Sequence, residues 1–219
     1  MPDCSSVTEH YRTVKQQASD ELIIQKSRFI GHAAPVETED QALDFLRSIR
    51  EKHHNASHNC YAYILGYNQG IIRYSDDGEP SGTAGLPMID VIRNQGMINC
   101  IVVATRYFGG ILLGTGGLVR AYTQTCKIAL QAAEPVIMCR TCRYVCRLPY
   151  SFWDRLNHYL ENTNAYLDDV LYTDQISFVL VVKEEEASRV LAAAANVTAR
   201  TLAFEDPVIA YEPWNITDS

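Results

Sequence analysis

No stretch of this 219-residue chain approaches the roughly 20 consecutive apolar residues that a membrane-spanning helix needs. The opening residues, Met1-Pro2-Asp3-Cys4-Ser5-Ser6, are polar and carry no apolar h-region, so no signal peptide is expected. Excess positive charge is also missing: 19 Lys and Arg stand against 26 Asp and Glu, a net charge of -7. That excludes nucleic-acid binding through overall attraction and leaves room only for a local basic patch. Met1–Met138 holds 12 basic and 14 acidic residues and the remainder 7 and 12, so a polyanion site belongs in the first half. The cysteines number seven, an odd count without a secretion signal, which points to reduced thiols and a cytoplasmic location.

Several catalytic signatures are absent. There is no Gly-x-Ser-x-Gly elbow and no His-Glu-x-x-His pair. Gly109 and Gly114 have Walker A spacing, but Thr115 stands where the lysine belongs. Gly114-Thr115-Gly116-Gly117-Leu118-Val119 lacks the third glycine of a dinucleotide fingerprint. No cofactor is called for.

What is present is an ordinary globular composition, 47% hydrophobic and 21% charged, long enough for one large or two small domains. Lys26–Val36 reads as a strand, and Thr38 caps a helix running to about Lys52. Cys60–Tyr67 and Ile71–Ser75 form a hairpin around Asn68-Gln69-Gly70, and a short helix covers Pro87–Arg93. Ile98–Thr105 is continuously apolar, as in a strand buried on both faces. Leu118–Ala133 is an amphipathic helix that buries Leu118, Tyr122, Cys126 and Ala129 and exposes Arg120, Gln124, Lys127 and Gln131.

A boundary falls in Glu134–Arg140, dividing the chain into domains 1–137 and 138–219. The second part reads strand 142–148, helix from Phe152 with Ser151 as cap, strands 165–172 and 176–182, helix from Glu184, strand 199–204. That βαββαβ order is the ferredoxin-like pattern, and the overall class is α+β.

Four groups could carry chemistry. Val102–Gln124 places five glycines between a strand and a helix, beside Arg106 and Arg120. Free N–H groups and the positive helix end would suit an anion there, or the glycines serve only tight turns and close packing. Asp76, Asp77 and Glu79 could hold Mg²⁺ or act as acid and base, or be solvated acids of a turn. His53, His54 and His58 include a zinc-like spacing at a point where the helix has ended. Cys139, Cys142 and Cys146 would need a fourth ligand, with Cys126 nearest; alternatively Cys142, Tyr144 and Cys146 share one face of a strand as packing residues. No metal site is assigned.

Two segments, YSDDGEPSGTAGLPMIDVI (Tyr74–Ile92) and IVVATRYFGGILLGTGGLVRAYT (Ile101–Thr123), closely resemble the IMPACT family. KSRFIGHAAPV (Lys26–Val36) and ASHNCYAYILG (Ala56–Gly66) fit the same domain, and the second half is similar to the small C-terminal domain of bacterial, YigZ-type members. The resemblance implies an N-terminal α/β sandwich of the fold shared by a ribosomal small-subunit protein domain, translocase domain IV and GHMP kinases. It also implies a C-terminal domain similar to domain V of elongation factor G. Eukaryotic relatives regulate translation and oppose activation of the starvation kinase that acts on initiation factor 2; they carry an RWD domain not found in these residues.

These readings give the expected function, a cytoplasmic, non-enzymatic, translation-associated binding protein. It would contact RNA or the ribosome through Arg106, Arg120, Lys127 and the N–H groups of Gly109, Gly110, Gly114, Gly116 and Gly117, with Tyr107 and Phe108 stacking on bases. The alternative is an enzyme for a small phosphorylated or anionic ligand bound at Gly114–Gly117, with Asp76, Asp77 or Glu79 as metal ligands or base. The alternative predicts a concave pocket where the two motifs meet. A third expectation is a protein partner held by the acidic C-terminal domain.

Overall fold

The computed structural model describes residues 10–66 and 68–214; Met1–Glu9, Tyr67 and Asn215–Ser219, and hence the opening segment and Cys4, lie outside the described residues. The chain forms two compact units, Tyr11–Ile137 and Met138–Trp214, each mixed α/β with an antiparallel sheet.

In the first unit β2 (Ala18–Ile24), β3 (Ser27–Pro35), β4 (His58–Leu65), β5 (Ile71–Ser75) and β6 (Cys100–Tyr107) make one sheet in the order β2-β3-β6-β4-β5. The apolar run falls at the centre, and every β6 residue but Tyr107 is buried. Helix α1 (Glu39–Lys52) starts where Thr38 Oγ1 accepts the Gln41 N–H. It lays Ala42, Leu46 and Ile49 on one sheet face, against Ala34, Tyr63, Ile101 and Val103. Helices α2 (Gly85–Asn94) and α3 (Gly114–Ala132) cover the other face. At Gly31 the approach of α3 is so close that a Cβ would stand 2.5 Å from the Thr125 carbonyl oxygen.

Two strands before β3 went unread in the sequence. β1 (His10–Val14) ties to the start of β6, with Thr13 Oγ1 donating to the Asn99 carbonyl and Ile98 N–H to that of Arg12. β2 has no buried residue, and its hairpin with β3 turns on Gln25 and Lys26, both at positive φ without a glycine. β1 alternates, burying Tyr11 and Thr13, but over only five residues, and the turn before β3 carries no glycine or proline.

The second unit corrects three boundaries. β7 (Pro135–Leu148) begins seven residues before the strand expected at 142–148, and Pro135 sits at its first position, where no ladder N–H is required. Ser151 caps no helix: a 3-10 turn, Tyr150–Phe152, precedes α4 (Trp153–Leu160), and the cap residue Phe152 provides no side-chain bond. The strand expected at 199–204 shrinks to β10 (Ala203–Phe204), because Ala199 and Arg200 take positive φ after α5 (Glu184–Val197). β11 (Val208–Trp214) is an additional strand on β7. With β8 (Tyr166–Tyr172) and β9 (Ile176–Lys183) the order is β10-β7-β9-β8, antiparallel at each step. Leu148, Leu156, Phe178, Leu180 and Val190 form its core.

Candidate ligand site

The Asp-Asp-Gly-Glu-Pro segment leaves β5 and folds back on itself. Asp76 accepts backbone N–H groups from Gly82 (2.8 Å), Ala84 (3.0 Å) and Gly85 (2.8 Å), and so supplies the cap that Ala84 itself cannot give α2. Asp77 and Gly78 take positive φ, 46° and 88°, which turns the chain. Asp77 accepts the Asn59 N–H at 2.6 Å and pairs with Arg50 at 2.8 Å. The turn then drives Glu79 inward, where its side chain is 4% exposed.

Arg106, near the end of β6, meets Glu79 there. Its Nη1 is 2.7 Å from Glu79 Oε1, and Tyr122 OH donates to the same oxygen at 2.7 Å. The guanidinium lies between two rings, 5.3 Å from the centroid of Phe29 and 5.4 Å from that of Phe108. Burial and the adjacent Cys60 push the Tyr122 hydroxyl far above its ordinary range, so it remains a proton donor. Burial likewise raises the Cys60 thiol to about 12, which makes it a packing residue and not a nucleophile. A buried charge pair gains little over apolar packing and is costly to break, so its presence calls for a reason.

A cavity of about 460 Å³ opens above the pair. Glu79, Arg106, His58 and Ser57 line one part of it; Pro80, Phe108, Leu112, Leu113 and Leu118 supply apolar walls, and Gly114 and Thr115 bring the start of α3 to its edge. No side chain caps α3, and no acid occupies its first turn. The acidic segment and the glycine loop therefore converge on one concavity, and its size is that of a small-molecule site.

Of the five glycines, Gly109 and Gly110 lie between β6 and α3, and Gly114, Gly116 and Gly117 fall in the first turn of α3, which begins earlier than the Leu118 expected from the sequence. Gly109 is a packing glycine, since a Cβ there would stand 2.1 Å from the Lys26 carbonyl group. Gly114 takes φ 69° as the helix begins, a conformation that favours glycine. Gly116 has open space around its Cβ position.

Other residues singled out in the sequence are placed as follows. Arg106 is not a free surface cation, because its charge is spent on Glu79. Tyr107 OH bonds His53 Nδ1 at 2.9 Å. Phe108 is half-exposed at the cavity rim, while Arg120 and Lys127 are exposed further along α3. The Asp76 and Asp77 carboxylates are engaged with backbone and Arg50, away from the role of metal ligands. Among the described residues, no three His, Cys, Asp or Glu side chains are arranged to hold a metal ion. His54 and His58 point to different carbonyls, of Glu51 and Asp77. Cys139 and Cys142, three apart on β7, face opposite sides of the strand, whereas Cys142, Tyr144 and Cys146 share the core face. Burial raises Cys146 to about 12.

Sequence reasoning weighed His58 only as a zinc ligand and Tyr122 only as a core residue, and missed the His32–His53 contact. Tyr122 was legible in principle, since a tyrosine on a buried stripe needs a partner for its hydroxyl.

Comparison with known proteins gives the family. Residues 25–130 match the Impact N-terminal domain, and residues 146–199 match a domain described as a domain of unknown function, DUF1949. The chain is 38% identical to "IMPACT family member YvyE" of Bacillus subtilis, over 81% of this chain and 82% of that protein. The chain belongs to the IMPACT family. It is also 34% identical to "IMPACT family member YigZ" of Escherichia coli, over 84% of this chain and 92% of that one. "Protein IMPACT" of Rattus norvegicus is 36% identical over 41% of this chain and 29% of its own length. A crystal structure titled only as that of an hypothetical protein superposes with a TM-score of 0.59 at 28% identity, covering 91% of this chain and 98% of its own. Among the described residues, no helix is long and apolar enough to cross a membrane.

Proposed function

We propose that the N-terminal unit of this IMPACT family member is a ligand-binding domain, and that its cavity takes a small, partly apolar molecule with an anionic group. The observation that carries this is the convergence of the acidic segment and the glycine loop on one cavity floored by Glu79 and Arg106. The anion sits at the uncapped start of α3, where N–H groups and the helix dipole favour negative charge. A second feature supports a ligand: Arg106 Nε is buried with no hydrogen-bond partner. The apolar walls take the rest of the molecule.

Phenyl phosphate is a suitable probe, having an aromatic body and one anionic group. It should raise the melting temperature of the full chain in a concentration-dependent way. Thr115→Glu places a carboxylate at the α3 start, on an exposed residue where it should not harm folding, and should remove the shift. No shift with phenyl phosphate at millimolar concentration would defeat the proposal.

A second reading, contact with RNA or the ribosome in a translation-linked role, is favoured by Arg120 and Lys127. They are seven residues apart on α3, hence on one exposed face. Ribosome co-sedimentation that is present in the parent, salt-dependent and lost in Arg120→Glu/Lys127→Glu would support it. The order β10-β7-β9-β8 supports a ferredoxin-like C-terminal domain, and buried reduced thiols suit a cytoplasmic protein.

A further inference from the structure

We propose that the ligand is a nucleotide, with its planar nitrogen heterocycle on the Glu79–Arg106 floor beside Phe108 and its phosphate at the start of α3. This rests on the reading of the cavity as a ligand site and names what fills it.

The floor sets the chemistry. Both hydrogen bonds to Glu79 fall on Oε1, from Arg106 and Tyr122, and Oε2 accepts none from a described residue. Arg106 Nε holds a proton with no acceptor. His58 Nδ1 lies 2.8 Å from the Asp77 carbonyl oxygen, which can only accept. Nδ1 therefore carries a proton, and Nε2 lies 3.9 Å from Glu79 Oε1. The floor thus offers Glu79 Oε2 as an unused acceptor and Arg106 Nε as an unused donor.

Charge narrows the choice. Glu79 and Arg106 cancel, so an ammonium group on the floor would meet the guanidinium and a carboxylate would meet Glu79. An uncharged edge with N–H donors beside a ring nitrogen or carbonyl acceptor fits both constraints, and nucleobases present such edges. Phe108 is 48% exposed and offers a flat face next to that floor. Base–aromatic stacking is the common way for a protein to hold an unpaired base. The phosphate then occupies the anion position at Gly114 and Thr115, the part of the rim farthest in chemistry from the neutral floor.

The test compares AMP, GMP, CMP and UMP with ribose 5-phosphate, using thermal shift and calorimetry on the full chain. At least one nucleotide should bind about tenfold or more tightly than ribose 5-phosphate, the scale of one base–aromatic contact. Phe108→Ala removes a half-exposed ring and should bring that ratio close to one, leaving ribose 5-phosphate binding as it was. Glu79→Gln, which exchanges an acceptor for a donor, should change the order of the four bases. Should that variant not fold, Phe108→Ala alone decides. A 5′-phosphorylated single-stranded RNA ten-mer separates two sources of the same chemistry. Tighter binding than any mononucleotide, sensitive to Phe108→Ala, identifies an RNA end, and equal or weaker binding identifies the free nucleotide. Four nucleotides that bind no better than ribose 5-phosphate overturn the inference, while a Thr115-dependent phenyl phosphate shift would leave the ligand cavity standing. Absence of a shift with every one of these phosphates overturns both.

Discussion

Glu79 and Arg106, 27 residues apart in sequence, form a buried ion pair at 2.7 Å that joins the acidic turn after β5 to the end of β6. Their partnership redefines both motifs. The carboxylate that resembled a metal ligand and the arginine that resembled a phosphate contact neutralise each other, and together they form the floor of a cavity.

Removing one partner leaves a buried charge uncompensated. Arg106→Met should cost about 3–5 kcal/mol in urea unfolding, and Glu79→Leu a similar amount. The double variant should lose clearly less than the sum of the two. Additive losses would mean that the two side chains do not act as a pair.

Asp76 should behave as a structural cap. Its three backbone N–H bonds to Gly82, Ala84 and Gly85 make Asp76→Ala destabilising by about 3 kcal/mol, at charged-bond strength partly offset by water. Mg²⁺ should not change the stability of the parent through this residue. A Mg²⁺-dependent gain in melting temperature that disappears in Asp76→Ala would contradict the assignment.

The glycines should separate sharply on substitution. Gly109→Ala puts a methyl group 2.1 Å from backbone atoms of Lys26 and should destabilise by several kcal/mol or abolish folding, about the upper end of overpacking costs. Gly116→Ala has space and should be neutral or slightly stabilising, because alanine favours the helix by about 1 kcal/mol. Circular dichroism melts of the two proteins distinguish these outcomes.

His32 gives the first unit an acid limb. Burial, His53 and Lys52 lower its pKa from 6.5 to about 4, and burial with Lys52 and Arg28 also lowers His53. A base whose pKa is lower in the folded state contributes its full share of stability above the unfolded value of 6.5. That share falls as pH drops from 6.5 toward 4 and then levels off, a loss on the order of 3 kcal/mol for His32. His32→Leu should flatten this part of the stability profile. An unchanged slope would show that His32 does not titrate across it.

How much of this was legible in the sequence depended on which residues carried the signal. Thr38, the β6 run and the buried stripe of α3 follow from capping and periodicity, although β6 is shifted two residues on and α3 begins a turn earlier, at Gly114, than periodicity alone marks. The β2–β3 hairpin does not, because Gln25 and Lys26 turn without glycine and β2 has no buried face to mark it. The glycine loop and the acidic segment were both visible as motifs. Their joint purpose was hidden, since spacing along the chain cannot show that Glu79 turns inward while Asp76 and Asp77 turn to the backbone. Likewise the charge of Arg106 is plain in the sequence, and its burial between Phe29 and Phe108 is a tertiary fact.

The most direct test of a ligand site at the α3 start is an amide NMR titration of the ¹⁵N-labelled full chain with phenyl phosphate. Saturable shifts are predicted at Gly114, Thr115, Gly116 and Phe108, together with the Arg106 Nε–H signal, and all should vanish in Thr115→Glu. Shifts confined to Arg120 and Lys127, or none at these positions, would contradict it.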